Sequence, residues 1–143
     1  MPGAREAIRY LNEQGIVVAV VTNQSGVARG YYSEAEVQAL HARVQTDLAG
    51  YGAHIDHFRY CPHHPDAQIE AYRQDCACRK PAPGMIFDIL GKTGIEAANS
   101  LLIGDKGSDL AAAAAAGVPA ILFDGGRSLL EIVMRWHQAK MIR

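Results

Sequence analysis

Neither sign of charge prevails in this sequence: fourteen Lys and Arg stand against fifteen Asp and Glu. A formal charge of −1 supplies no basic face for nucleic acid and no pull toward an anionic membrane. The same balance argues against a zinc-ribbon module that grips nucleic acid. Long apolar runs are also missing. The longest uncharged one, 110–123, has fourteen residues, includes Gly117 and Pro119, and is too short to span a bilayer. No basic stretch followed by an apolar one opens the sequence, so no secretion signal is expected. Cysteine is rare, three in 143 residues. An odd number without a secretion signal suits a reducing cytoplasm better than a disulfide framework. Internal repeats are absent, and the alanine run 111–116 reads as a closely packing helix, not a low-complexity linker. With 49% hydrophobic and 20% charged residues, 143 residues make one domain around one core.

What is present alternates between two periodicities. Residues 4–14 carry Ala4, Ala7, Ile8 and Leu11 on one helical face, with Gly15 beyond the end. Residues 16–21 are a continuous run suited to a strand buried on both faces. Residues 23–32 read as a polar, glycine-bearing loop. Ser33 with Glu36 forms a capping box that opens a helix to about Ala49. A short strand at 56–60 is followed by a helix at 85–92 and a strand at 100–103. A helix at 108–116, a strand at 120–123 and a terminal helix at 129–137 complete the series. Strands alternating with helices imply right-handed crossovers and a mostly parallel sheet with helices on both faces, an α/β fold of Rossmann-like type.

All three cysteines fall within eighteen residues. Cys61-Pro62-His63-His64 is followed, with twelve residues between His63 and Cys76, by Cys76-Ala77-Cys78, and then directly by Arg79-Lys80. Thiolate and imidazole suit tetrahedral zinc, and Cys61, His63, Cys76 and Cys78 supply four ligands. Four protein ligands leave no open position, so such a zinc is structural. His64 is left over. The alternative, unrelated buried thiols beside surface histidines, does not account for the clustering.

In parallel α/β sheets ligands bind at the carboxyl ends of strands. The first strand ends at Thr22-Asn23-Gln24-Ser25-Gly26, offering a hydroxyl, amides and backbone N–H groups for phosphate oxygens. An ordinary polar loop would look the same. A later strand ends at Gly104-Asp105-Lys106, with Asp109 one turn further. A strand-end carboxylate is a hard-cation ligand of the kind Mg²⁺ takes, although helix capping explains it too. Arg79 and Lys80, rigidly presented by the zinc loop, could clamp phosphate, Arg79 as a fork and Lys80 as a point charge. Elsewhere such a pair is solvated surface.

Taken together, these segments resemble the phosphatases of the haloacid dehalogenase (HAD) superfamily. The stretch 21–30 is similar to their second motif, 61–65 with 76–85 to the zinc loop and third motif, and 103–106 with Asp109 to the fourth. Within the superfamily the resemblance is to the heptose-bisphosphate phosphatases and next to the histidinol-phosphate phosphatases, the twelve-residue spacer favouring the former. The resemblance implies Mg²⁺-dependent hydrolysis of the 7-phosphate of a heptose 1,7-bisphosphate, in the cytoplasm, on the way to lipopolysaccharide. It implies that Thr22, Asn23, Gln24 and Ser25 hold the phosphoryl group and that Lys80 neutralises it. Arg79 would meet the distal part of the substrate. Asp105, with Lys106 beside it and Asp109 in support, would form the Mg²⁺ site.

The superfamily's aspartate nucleophile lies in a D-x-D-G-T motif on a central strand between those ending at Thr22 and Gly104. This sequence has no D-x-D, and Asp124-Gly125-Gly126 lacks the second carboxylate. The domain is therefore expected to be amino-terminally incomplete, with its central strand missing. Two alternatives stay open: a histidinol-phosphate phosphatase-like enzyme, and a non-catalytic, zinc-stabilised remnant that binds phosphosugars. A monomer is expected, with pairing through the sheet gap as the alternative.

Overall fold

The computed structural model describes residues 3–74, 76 and 78–141; of the motifs above, Ala77 lies outside them. Helix α1 (Ala4–Glu13) leads into strand β1 (Ala19–Asn23). After α2 (Ser25–Ala28) and α3 (Glu34–Ala49) the chain returns as β2 (His57–Cys61). Next come α4 (Gly84–Thr93), β3 (Leu102–Gly104), α5 (Gly107–Ala116), β4 (Ala120–Leu122) and α6 (Leu129–Met141). β1 runs parallel to β2, with Ala19 opposite His57 and Asn23 opposite Cys61. β3 runs parallel to β4, with Leu102 opposite Ala120. Parallel neighbours require crossovers, and these place helices on both faces, as expected from the sequence.

Two apolar layers result. On one face Leu48, Ala53 and Ile55 gather Ile8, Val44, Val18, Val20 and Phe58. On the other, Ile86 packs with Ala112, Ala113, Ala116 and Val118, and takes in Val21 and Leu102. Val20 and Val21 turn to opposite layers because successive strand side chains alternate. The alanine run is a helix, and its Ala112 and Ala113 are fully buried. The capping box also forms: Glu36 N donates to Ser33 Oγ, and Ser33 N to Glu36 Oε1, each at 3.2 Å. None of the described helices is long and apolar enough to cross a membrane.

Three details depart from the sequence expectation. Residues 23–32 hold the short helix α2 within the expected loop, and its Gly26, Val27 and Ala28 are buried. β1 starts at Ala19 instead of 16, because its partner arrives late. Val18 is held by the turn before β2, its N donating to Asp56 Oδ2 at 2.8 Å and its O accepting from Asp56 N at 2.8 Å. Finally, β1 is not buried on both faces; no residue of it is fully buried, and Val17 just before it is 39% exposed.

The cause is a split sheet. Among the described residues the two strand pairs share no hydrogen bonds. Between them lies a cavity of about 560 Å³, walled by residues 16–22 on one side and 99–105 on the other. Ile8 and Leu11 of α1 and Val133 and Trp136 of α6 close it below, and Ile86 and Leu90 of α4 close it above. The gap lies between β1 and β3, and no described strand pairs with either edge across it. Unpaired backbone groups on two facing edges cost about 1–3 kcal/mol each when cut off from water.

Candidate active site and zinc centre

The carboxyl ends of β1 and β3 meet at one buried ammonium. Lys80 Nζ donates to Val21 O at 3.2 Å and to Asp109 Oδ1, with the two side chains only 12% and 9% exposed. Asp109 Oδ2 accepts from Lys106 N at 3.2 Å, which ties the carboxylate to the start of α5. Burial alone would raise the Asp109 carboxyl. Its bond to Lys80 and the charge there, with backbone N–H groups of Lys106 and Asp105, hold it below the usual carboxylate range instead. Gly104 is needed beside it: a Cβ there would come within 2.5 Å of Asp109 Cβ. The glycine that ends β3 thus makes room for the partner of Lys80.

Lys80 is positioned through its backbone as well. Asn23 Oδ1 accepts from Lys80 N at 2.9 Å, and Asn23 Nδ2 donates to Lys80 O at 3.1 Å. The Asn23 amide, expected to face phosphate, is therefore spent on fixing Lys80, a role its local sequence does not show. Gln24 Nε2 donates to Thr22 Oγ1 at 3.2 Å while Gln24 Oε1 accepts from Tyr32 OH at 2.7 Å. Gly26 lies under the Tyr32 ring, where a Cβ would come within 2.3 Å. Its small size serves that packing. Ser25 opens α2. Asp105 and Lys106 are exposed at the mouth of the cavity, Asp105 in its lining. Arg79 has a buried Nη1 with no acceptor among the described residues. A buried guanidinium N–H without a partner is costly, and an anion at this point would satisfy it.

The four expected zinc ligands do converge. Their donor atoms all lie within 4.8 Å of one another. The sulfurs stand 2.7–3.1 Å apart, with His63 Nδ1 3.5 Å from Cys78 Sγ and 3.7 Å from Cys61 Sγ. β2 delivers Cys61 to this point, where Gln24 N donates to Cys61 O at 2.8 Å. Burial pushes the Cys61 and Cys78 thiols up. For Cys76 burial is outweighed by hydrogen bonds from Cys78, Cys61 and His63, which bring it down to about 6. Three thiols and an imidazole this close match the donor set that zinc takes, and a divalent cation removes the cost of holding thiolates together. His64 stays out, its Nδ1 accepting from Asp66 N at 3.0 Å.

A further clamp was not legible in the sequence. Tyr60 OH donates to Glu34 Oε1 at 2.8 Å and Tyr72 OH to Glu34 Oε2 at 2.7 Å. The start of α3 is thereby tied to both arms of the zinc loop. The Tyr72 and Tyr60 hydrogen bonds hold the Glu34 carboxyl below its ordinary 4.5. A lowered folded value means that this stabilisation is complete above the unfolded pKa and is lost as pH falls through the folded one. Glu34→Gln is thus expected to melt a few degrees below the parent at pH 7, with the difference shrinking as pH falls below 4.5. Equal melting temperatures across that range would remove the clamp.

Asp124 sits elsewhere. It follows β4, on the side of β3 away from the cavity, and its Oδ1 accepts from Gly126 N at 2.8 Å. It lines no part of the cavity. This agrees with its rejection as a nucleophile.

The comparisons with known proteins point the same way. The HAD-hydrolase-like family matches residues 77–141. A D-glycero-beta-D-manno-heptose-1,7-bisphosphate 7-phosphatase of Rhodopseudomonas palustris is 49% identical over 125 residues, covering 87% of this chain and 69% of that protein. A D-glycero-alpha-D-manno-heptose-1,7-bisphosphate 7-phosphatase of Photorhabdus laumondii is 41% identical over 112 residues, or 78% of this chain and 61% of that protein. The crystal structure of the D,D-heptose 1,7-bisphosphate phosphatase of B. bronchiseptica, complexed with magnesium and phosphate, superposes with a TM-score of 0.82 at 33% identity. It covers 97% of this chain and 84% of that one. The chain thus spans between three-fifths and seven-tenths of the length of these curated relatives. With the zinc cluster, the Lys80 bracket and the two parallel pairs in place, the chain belongs to the HAD-like phosphatases, among the heptose 1,7-bisphosphate 7-phosphatases.

Proposed function

We propose that these residues form the phosphate-handling part of a phosphatase that removes the 7-phosphate of a D-glycero-D-manno-heptose 1,7-bisphosphate. The supporting observation is the Lys80 ammonium bracketed between the ends of β1 and β3, in a chain 49% identical to a protein of that name. The domain is single, acts as a cytoplasmic monomer, and feeds heptose toward lipopolysaccharide.

The geometry supports the following roles. Thr22 Oγ1, with the backbone N–H groups of Asn23 and Ser25, holds the transferring phosphoryl group at the end of β1, and the Gln24 side chain orients the Thr22 hydroxyl. Lys80 neutralises it, and Asp109 and Asn23 keep Lys80 there. Arg79 offers its buried Nη1 to an anionic or hydroxyl-rich distal part of the substrate. Asp105, with Lys106 beside it and Asp109 in support, would hold Mg²⁺, which when bound offsets charge on the phosphoryl oxygens. The zinc ligands hold the 61–80 loop and hence Arg79 and Lys80. Attack on phosphorus requires a carboxylate that these 143 residues do not contain in a D-x-D arrangement.

Phosphate release from heptose 1,7-bisphosphate and from histidinol phosphate tests the reading. It is measured for this chain and for the chain extended by a D-x-D-G-T strand. The extended protein is expected to hydrolyse the bisphosphate with Mg²⁺, and this chain at least about a thousandfold more slowly. Preference for histidinol phosphate would transfer the assignment to that substrate. Inactivity of both proteins would favour the phosphosugar-binding remnant, a reading supported by the open cavity.

A further inference from the structure

We propose that Tyr32 is a positioning residue for the phosphoryl group: acting through Gln24, its hydroxyl turns the Thr22 Oγ1 proton outward to meet a phosphate oxygen. This role presupposes the phosphate site proposed at the end of β1, and Tyr32 acts on that site only through Gln24.

Two distances set the direction of the relay. Tyr32 OH stands 2.7 Å from Gln24 Oε1, the length of an O–H···O bond. Gln24 Nε2 stands 3.2 Å from Thr22 Oγ1, within the range of an N–H···O bond. A phenol carries one proton, and here it goes to the amide oxygen. With that oxygen engaged, the amide presents its NH₂ group to Thr22. Thr22 Oγ1 therefore receives a hydrogen bond on a lone pair, and its own proton points elsewhere. The acceptor it finds among the described residues is Asn23 O at 3.4 Å, beyond the roughly 2.5–3.0 Å of a good O–H···O bond. A charged phosphate oxygen displaces so weak a partner. Turned round, the Gln24 amide would instead accept the Thr22 proton and leave the hydroxyl aiming a lone pair at the anion. Tyr32 selects the first orientation because a phenol, its oxygen lone pair drawn into the ring, donates better than it accepts.

The backbone delivers this phenol and no other. Arg29 N donates to Ser25 O at 3.0 Å and Tyr31 N to Gly26 O at 2.9 Å, which folds the chain back on α2. Gly30, at φ +79°, supplies the left-handed turn between them. Tyr31 then points outward, 75% exposed, whereas Tyr32 lies over Gly26, where only a glycine leaves room for its ring. Ser33, the next residue, caps α3 and fixes the segment from its other end. Among the described residues the Tyr32 hydroxyl has no partner besides Gln24.

A double-mutant cycle tests the relay, with inorganic phosphate titrated into the full 143-residue chain and followed by nuclear magnetic resonance. Tyr32→Phe keeps the ring on Gly26 and removes only the hydroxyl. It should weaken phosphate binding about five- to tenfold while lowering the melting temperature by no more than a few degrees. Thr22→Val should weaken binding at least about tenfold. Adding Tyr32→Phe to Thr22→Val should cost less than a further factor of about two, since the relay then has no hydroxyl to orient. The Gln24 side-chain amide resonances give a second reading that needs no phosphate, and they should shift on Tyr32→Phe. Unchanged Gln24 resonances would overturn the proposal. So would a Tyr32→Phe loss that persists undiminished beside Thr22→Val, which would mean that the ring merely packs the loop. Phosphate binding that Lys80→Met abolishes and Tyr32→Phe leaves within about twofold of the parent would overturn the relay alone. A parent chain that binds no phosphate up to on the order of 50 mM would overturn the phosphate site itself, and this role with it.

Discussion

Stripping zinc from the zinc-loaded protein is expected to lower its melting temperature by about 10–20 °C, a loss on the order of 5 kcal/mol. That is below the roughly 10–16 kcal/mol of a free-standing zinc finger, because the loop has other anchors. Gln24 N to Cys61 O, the Asn23 bracket on Lys80 and the Glu34–Tyr72 hydrogen bond all remain when the metal leaves. None of these anchors falls between Tyr72 and Lys80, the stretch that carries Cys76 and Cys78. Phosphate affinity should therefore fall as well, since Arg79 and Lys80 directly follow Cys78. Cys78→Ser should reproduce both losses and, unlike the stripped parent, should not recover fully when zinc is returned. The check is a thermal melt with metal content measured on the same sample. A protein that loses all its zinc and melts unchanged would refute a structural role for the four ligands.

Lys80→Met is the second large effect expected. It leaves the Asp109 carboxylate, 9% exposed, without its cation. Removing one partner of a buried pair costs about 3–5 kcal/mol, whereas replacing both by apolar groups is often neutral. Lys80→Met should therefore be strongly destabilised, and Lys80→Met with Asp109→Leu should regain most of that stability. Binding of inorganic phosphate should be lost, at least about a hundredfold, in both variants, because both remove the ammonium at the end of β1. Urea melts and calorimetric titration with phosphate read the two effects separately. Phosphate affinity surviving in the double variant would remove Lys80 from the anion site.

How much of this could be read from the sequence depends on the separation of the partners. The zinc ligands were legible because they lie within eighteen residues, and thiolate and imidazole at that spacing have few other uses. The α3 capping box, formed by Ser33 and Glu36, was legible for the same reason. Element order followed from periodicity, which needs no knowledge of neighbours. Strand ends were less secure: β1 begins three residues late because the position of Asp56 and His57, far along the chain, decides where pairing starts. Asn23 looked like a phosphate ligand because its neighbours are polar. Its amide instead grips a backbone 57 residues away. Gly26, at the end of the same polar stretch, proves to be the seat of the Tyr32 ring.

The sequence by itself determined the ligands for zinc, the alternation of strands and helices, and the residue types waiting at the strand ends. Those properties rest on short spacing and side-chain chemistry, which survive without a fold. Only the tertiary structure decided which of those residues work together. Lys80 and Asp109 become a buried pair because β1, β3 and the zinc loop converge. Glu34 becomes a clamp because α3 starts beside Tyr60 and Tyr72. The cavity likewise exists only as a relation between two strands about eighty residues apart, since hydrogen-bond pairing across a sheet is a property of neighbours in space and not of any one strand.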